Sequence, residues 1–262
     1  MRILLTNDDG VHAQGMRGLY EALKTVGDVE VVVPLRECSA GGHAVSMVTP
    51  LRVRKVAFGD GFKAHAVDGT PADCVKLALS EILKRTPDLV VSGINHGANI
   101  GMNVFYSGTV SAALEGAMAG LPAFAVSAQM RAGDEPDFAA LGGRFAGMLP
   151  ELLPAARSSR RVLSVNFPAV SVEKLKPVRW ASLTLKATHQ EQFEKRHDPE
   201  GQAYYWNAGI FRFPDDPTPT DAALLKRGHV TITPLIVDLT DHGFLRDRAP
   251  ARTNGARHGK KA

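Results

Sequence analysis

Cysteine is scarce: Cys38 and Cys74 are the only two in 262 residues, and neither stands in a C-x-x-C pair. That excludes a disulfide framework and fits a reducing compartment. No apolar run approaches the ~20 residues that span a bilayer, so no membrane partner is expected. The start carries one arginine and a short Ile3-Leu4-Leu5 run ahead of two acids, which is not a secretory signal; the chain reads as soluble and cytoplasmic. Two nucleotide fingerprints are missing as well. No G-x-G-x-x-G follows the first strand candidate, and no G-x-x-x-x-G-K-S/T occurs anywhere. Nor is there a basic face. Lysine and arginine number 31 against 27 acids, a net charge of +4, but the stretch from Arg246 onward holds six basic residues and only Asp247 as an acid. The tail is thus +5 and residues 1–245 are −1, so no nucleic-acid partner is expected.

What is present is an ordinary globular mix, 44% hydrophobic and 22% charged, long enough to bury a large core. Apolar runs at 2–6, 29–33, 88–92, 123–127 and 161–166 do not alternate in and out, as expected of strands covered on both faces. Helical periods lie between them. Met16, Leu19, Leu23 and Val26 repeat at three- and four-residue steps, as do Cys74, Leu77, Ala78 and Ile82. The second set is preceded by Thr70 as N-cap, Pro71 at the first helical position and Asp73 as the capping-box acid. Strand–helix–strand repetition predicts an α/β fold with a Rossmann-like, mainly parallel sheet and helices on both faces.

Beyond residue 170 strand-like pieces at 178–185, 203–206 and 230–233 are separated by charges and a Pro-rich stretch at 213–220. They predict a C-terminal β-hairpin extension. The expected organisation is a catalytic core over 1–170, an extension with a returning strand over 171–245 that serves oligomerisation, and a basic, disordered tail over 246–262.

In an open parallel sheet, ligands bind beyond the carboxyl ends of the strands. The first strand is followed by Asn7-Asp8-Asp9-Gly10. Adjacent carboxylates would repel a pyrophosphate and suit a cation, although an isolated Asp-Asp-Gly is commonly only a solvated turn. The exit of the 88–92 strand shifts the balance: Ser92-Gly93-Ile94-Asn95-His96-Gly97-Ala98-Asn99 leads to Ser107-Gly108-Thr109-Val110, with Thr109 as the expected N-cap of a helix of small residues. Such a helix start offers free N–H groups to an oxyanion. The loop after the second strand adds Glu37-Cys38-Ser39-Ala40-Gly41-Gly42-His43. His43 and His96 are read as loop residues and Cys38 as a packed thiol. An oxygen-only ligand set of Asp8, Asp9, Ser39 and Asn95 would select a hard divalent cation, Mg²⁺ or Mn²⁺.

At these residues the chain resembles the SurE survival-protein family. The resemblance rests on Thr6-Asn7-Asp8-Asp9-Gly10, Gly69-Thr70-Pro71-Ala72-Asp73-Cys74-Val75, Ser92-Gly93-Ile94-Asn95 and Ser107-Gly108-Thr109-Val110, and continues more loosely through 198–206 and 228–240. It implies a metal-dependent phosphomonoesterase that hydrolyses nucleoside 5′-monophosphates, and in some members 3′-monophosphates or short polyphosphate. The implied metal ligands are Asp8, Asp9, Ser39 and Asn95. Asp8, Asp9 and Asn95 are expected to carry catalysis, and Ser39, Asn95, Ser107, Gly108 and Thr109 to meet the phosphate. A homodimer or homotetramer with exchanged C-terminal arms is implied too. Departures at Cys38, Ala98, Asn103 and 180–184 leave those positions untouched and bear on substrate range. A non-enzymatic, Mg²⁺-binding receiver-like module is the main alternative, but it needs an acceptor Asp after the third strand, where this chain has Asn95. A haloacid-dehalogenase-type phosphatase would need D-x-D rather than adjacent acids.

Overall fold

The computed structural model describes residues 1–58, 62–131, 133–157, 160–186, 188–214 and 216–248. Its centre is a nine-stranded sheet. In chain order the sheet takes β1 (Arg2–Thr6), β2 (Asp28–Pro34), β3 (Val53–Phe58), β4 (Phe62–Val67), β5 (Leu89–His96), β6 (Ala123–Ala128), β7 (Arg161–Phe167), β8 (Lys176–Trp180) and β13 (His229–Ile236). Side by side they run β3-β4-β2-β1-β5-β6-β7-β13-β8. The block from β4 to β7 is parallel, whereas β3 runs antiparallel to β4 and β13 antiparallel to β7. The sheet is thus mainly parallel, as expected.

Each central strand sends alternate side chains to opposite faces, and both faces are dry. Ile3, Leu5, Val31, Val33, Val91 and Phe124 face one side, where they meet Met16, Leu19 and Leu23 of α1 (Gln14–Leu23) and Phe145 and Leu149 of α4 (Phe138–Ala156). Leu4, Val32, Val90 and Ala125 face the other. There they meet Cys74 and Val75 of α2 (Pro71–Leu77) and Val110, Ala113 and Ala117 of α3 (Gly108–Met118). Thr70, Pro71 and Asp73 form the expected capping box of α2. Val26, expected on the apolar stripe of α1, lies beyond its end and is exposed.

Three expectations need correction. The helix N-cap is Ser107, whose hydroxyl accepts from the Val110 N–H at 3.1 Å; Thr109 lies inside the first turn. The strand expected over 178–185 is instead Lys176–Trp180, followed by an isolated bridge from Ser182 to Thr220. The basic tail expected from Arg246 begins inside a helix, α6 (His242–Arg248), and its remainder lies outside the described residues.

The region after residue 170 is tied into the same sheet through β8 and β13. Between them the chain leaves the sheet for two small antiparallel ribbons. One pairs β9 (His189–Gln190) with β12 (Ile210–Phe211) and the other β10 (Phe193–His197) with β11 (Ala203–Asn207). It returns through α5 (Asp221–Lys226). Asp221 clasps the two regions together. Its carboxylate accepts from the N–H of Gly101 at 2.7 Å, of Thr184 at 2.9 Å and of Ala222 at 2.7 Å.

Candidate functional site at the carboxyl edge of the sheet

β1 and β5 are neighbours at the centre of the sheet, and the chain leaves their carboxyl ends toward opposite faces. β1 leads to Asn7-Asp8-Asp9-Gly10, and the turn is closed by the Asn7 side-chain amide donating to the Gly10 carbonyl at 2.9 Å. Gly10 sits at φ +91°, a left-handed conformation that side chains rarely adopt. β5 runs four residues further than expected, to His96, which places Asn95 on the strand end itself.

Asp8 is buried against the start of α3. The hydroxyl of Thr109 donates to its Oδ1, and the Thr109 backbone N–H donates to the same carboxylate. Thr109 is expected at an incoming phosphate, yet in the folded chain both of its donors are committed to Asp8. Burial raises the Asp8 pKa, and the Thr109 bonds offset part of the rise. Asp9 is half-buried; its Oδ2 accepts from the His96 N–H at 3.3 Å. Burial, then the neighbouring Asp8 charge, pushes Asp9 up to about 6. Glu37 adds a smaller push in the same direction to both acids.

The loop carrying Ser39 is pinned to this turn by the Cys38 N–H, which donates to the Asp8 carbonyl at 2.8 Å. Ser39 is exposed, with its hydroxyl on Glu37 Oε1 at 2.5 Å. The Asn95 amide donates to the Gly97 carbonyl at 2.7 Å, which leaves its Oδ1 to serve as an acceptor. Beside Asp9 opens a cavity of about 350 Å³ whose lining includes His12, Gln14, Glu37, His96 and Glu135.

The arrangement has the chemistry of a hard-cation site. Two crowded carboxylates resist ionising together, and a divalent cation relieves that conflict. Asn7 Oδ1, buried beside them, has no hydrogen-bond partner. The other donors, from Ser39 and Asn95, are neutral oxygens, as Mg²⁺ or Mn²⁺ accepts. Among the described residues no group of three or more His, Cys, Asp or Glu side chains is gathered as a metal site. Sequence reasoning missed Glu37 and the cavity residues His12, Gln14 and Glu135. Glu37 alone left a signal, an acid two residues before Ser39 in a strand-exit loop.

The sheet, with helices on both faces and paired acids at its carboxyl edge, defines the class as an α/β protein of doubly wound type. The particular family follows from comparison. Residues 3–190 match the family model "Survival protein SurE". A relative named 5′-nucleotidase SurE from Maridesulfovibrio salexigens is 46% identical over 242 residues, covering 92% of this chain and 95% of that protein. Another of the same name, from Carboxydothermus hydrogenoformans, is 41% identical over 250 residues, covering 94% of each. The crystal structure of the SurE protein from Aquifex aeolicus superposes with a TM-score of 0.80 at 36% identity, covering 94% of this chain and 98% of that one. The chain belongs to the SurE family, as its motifs had implied.

Proposed function

We propose that this chain is a metal-dependent 5′-nucleotidase, hydrolysing nucleoside monophosphates to nucleoside and phosphate. The observation that carries the reading is the Asp8–Asp9 pair with Thr109 of α3 locked onto Asp8, in a chain 46% identical to a protein named 5′-nucleotidase SurE. Asp8, Asp9, Ser39 and Asn95 would hold the cation, Mg²⁺ or Mn²⁺. Bound there, it supplies positive charge to the phosphoryl oxygens and acidity to a water.

The protein groups divide the remaining work. Asp8, fixed by Thr109, is an anchor with little freedom. Asp9 faces the open cavity and is the carboxylate placed to orient the attacking water and hold its proton. Gly108 contributes a backbone N–H at a helix start, and Ser107 a hydroxyl; with Asn95 they stabilise charge growing on the phosphoryl oxygens. Thr109 acts through Asp8 rather than on the phosphate. The receiver-like alternative is not favoured, since the end of β5 carries Asn95 and His96 and offers no acceptor carboxylate.

No helix among the described residues is long and apolar enough to cross a membrane. Both cysteines are free, which supports a reducing, cytoplasmic setting. The chain works as a homodimer or homotetramer through the ribbon of β10 and β11, whose ten residues are all exposed and include Phe193, Tyr204, Tyr205 and Trp206. An isolated two-stranded ribbon is marginal in water, and such a patch calls for a cover.

The test is phosphate release from nucleoside monophosphates, sugar phosphates and polyphosphate with Mg²⁺ or Mn²⁺, in the parent and in Asp9→Asn. Nucleoside monophosphates should be the best substrates, and the variant should lose most turnover at a melting temperature no lower than the parent's, since the ionised Asp9 is held at a cost. Near-normal turnover in the variant, or full activity in excess chelator, would overturn the reading.

A further inference from the structure

Helix α3 is built almost wholly of small apolar residues, and Glu115 is its one charged side chain. A carboxylate only 7% exposed on such a helix needs a partner to offset its desolvation. It has two. His43 Nε2 lies 2.8 Å from Glu115 Oε1, and the more exposed Lys76 places its Nζ 3.6 Å from Oε2. His43 belongs to the loop that carries Ser39, four residues earlier.

The same loop is held at several further points. The Cys38 N–H donates to the Asp8 carbonyl, and the Gly42 N–H to the Tyr106 carbonyl at 3.0 Å. Thr70 Oγ1 donates to the Ala44 carbonyl at 2.8 Å. The backbone contacts fix its path. Between Cys38 and Gly42, however, Ala40 and Gly42 both take left-handed φ angles of +56°, an uncommon conformation for alanine. His43, one residue past this turn, gives it a side-chain anchor as well. Glu115 supplies it from the helix whose first turn also fixes Asp8.

We propose that Glu115, acting through His43, is a positioning residue that holds the Ser39 loop in register with Asp8 and Asp9 for cation binding. This rests on the cation site proposed above. Neither residue touches the cation. The pair sets where Ser39 stands, so that one rigid helix locates two ligands, Asp8 through Thr109 and Ser39 through His43.

The test is Mn²⁺ binding to the full-length protein, read as free Mn²⁺ by electron paramagnetic resonance, with the melting temperature measured alongside. His43→Ala should weaken Mn²⁺ binding about ten-fold or more, the usual cost of losing a residue that orients a ligand. Glu115→Gln keeps an oxygen acceptor for His43 and should retain most of the affinity. Lys76→Met should leave affinity unchanged, because Lys76 is not on the loop. Asp9→Asn separates the two proposals. If Asp9→Asn leaves Mn²⁺ binding intact, the cation site itself is wrong and the positioning role falls with it. If Asp9→Asn abolishes binding while folded His43→Ala binds as the parent does, only the positioning role falls. A lower melting temperature in His43→Ala with unchanged affinity would make the pair purely structural and overturn the proposal, as would Lys76→Met weakening Mn²⁺ binding as much as His43→Ala. Should Glu115→Gln fail to fold, His43→Ala decides alone.

Discussion

A methyl group on Gly108 would stand 2.7 Å from the Cβ of Asp8 and 2.9 Å from its Oδ2. Glycine at this position lets the first turn of α3 close directly onto the carboxylate. The loop-to-helix junction and the acid turn are therefore one unit. A change meant to perturb phosphate donors at Gly108 also displaces Asp8.

Gly108→Ala should accordingly lower turnover by about 100-fold, the scale of a misplacement near 1 Å at a reacting centre. Gly143 provides the contrast. It lies on α4 with open space where its Cβ would be, so Gly143→Ala should raise stability by about 0.5–1 kcal/mol and leave turnover alone. Steady-state kinetics and denaturant melts on the two variants check both halves; equal kinetics for Gly108→Ala and the parent would refute the first.

Asp73 gives the acid limb of stability. Burial raises its pKa, but hydrogen bonds from the N–H and hydroxyl of Ser46 and from Thr70 outweigh burial, and the net shift is downward. A folded-state pKa below the unfolded one, near ~3.9, means that its stabilising contribution is full above that value and is lost as the pH falls through the lower one. The stability gap between parent and Asp73→Asn should therefore narrow from pH 7 to pH 3. A gap that stays constant over this range in urea melts would contradict it.

Much of the fold was legible because the buried strands carry unbroken apolar runs. The edge hairpin β3–β4 was not. Arg54, Lys55 and Lys63 interrupt it, and β3 is largely exposed, so it has no apolar run to betray it. Helix α4 carries Pro150 and Pro154 inside its span, residues that ordinarily mark a helix end. At the site, Asp8, Asp9, Ser39 and Asn95 were readable as post-strand oxygen donors. The commitment of Thr109 to Asp8 was not, since the two are 101 residues apart and only the packing of α3 on the sheet brings them together.

Asp221 offers a test of how the regions before and after residue 170 cohere. Asn in its place still presents one oxygen, suited to Thr184 and Ala222 on the Oδ1 side, but turns an N–H₂ toward the Gly101 N–H. One buried donor is left unpaired. Asp221→Asn should cost about 1–3 kcal/mol and speed hydrogen exchange at the Gly101 amide. Wild-type exchange there would show that the clasp does not restrain the loop.

Removing residues 190–210, with the ends rejoined, should convert the assembly to monomers by light scattering. A parent protein that is active and monomeric at micromolar concentration would sink the oligomer proposal. Persistence of the assembly in the deletion would place the interface elsewhere.

The position of β13 has a consequence for how the chain is made. It lies between β7 and β8 and contributes the antiparallel partner of β7. On a ribosome, β7 is complete at Phe167 while its partner ends at Ile236, so at ordinary synthesis rates the edge of β7 stands bare for roughly 3–14 s. An apolar strand with open N–H and C=O groups is a template for another chain. Until its last long strand emerges, the nascent chain thus carries an unpaired apolar edge that the finished sheet covers.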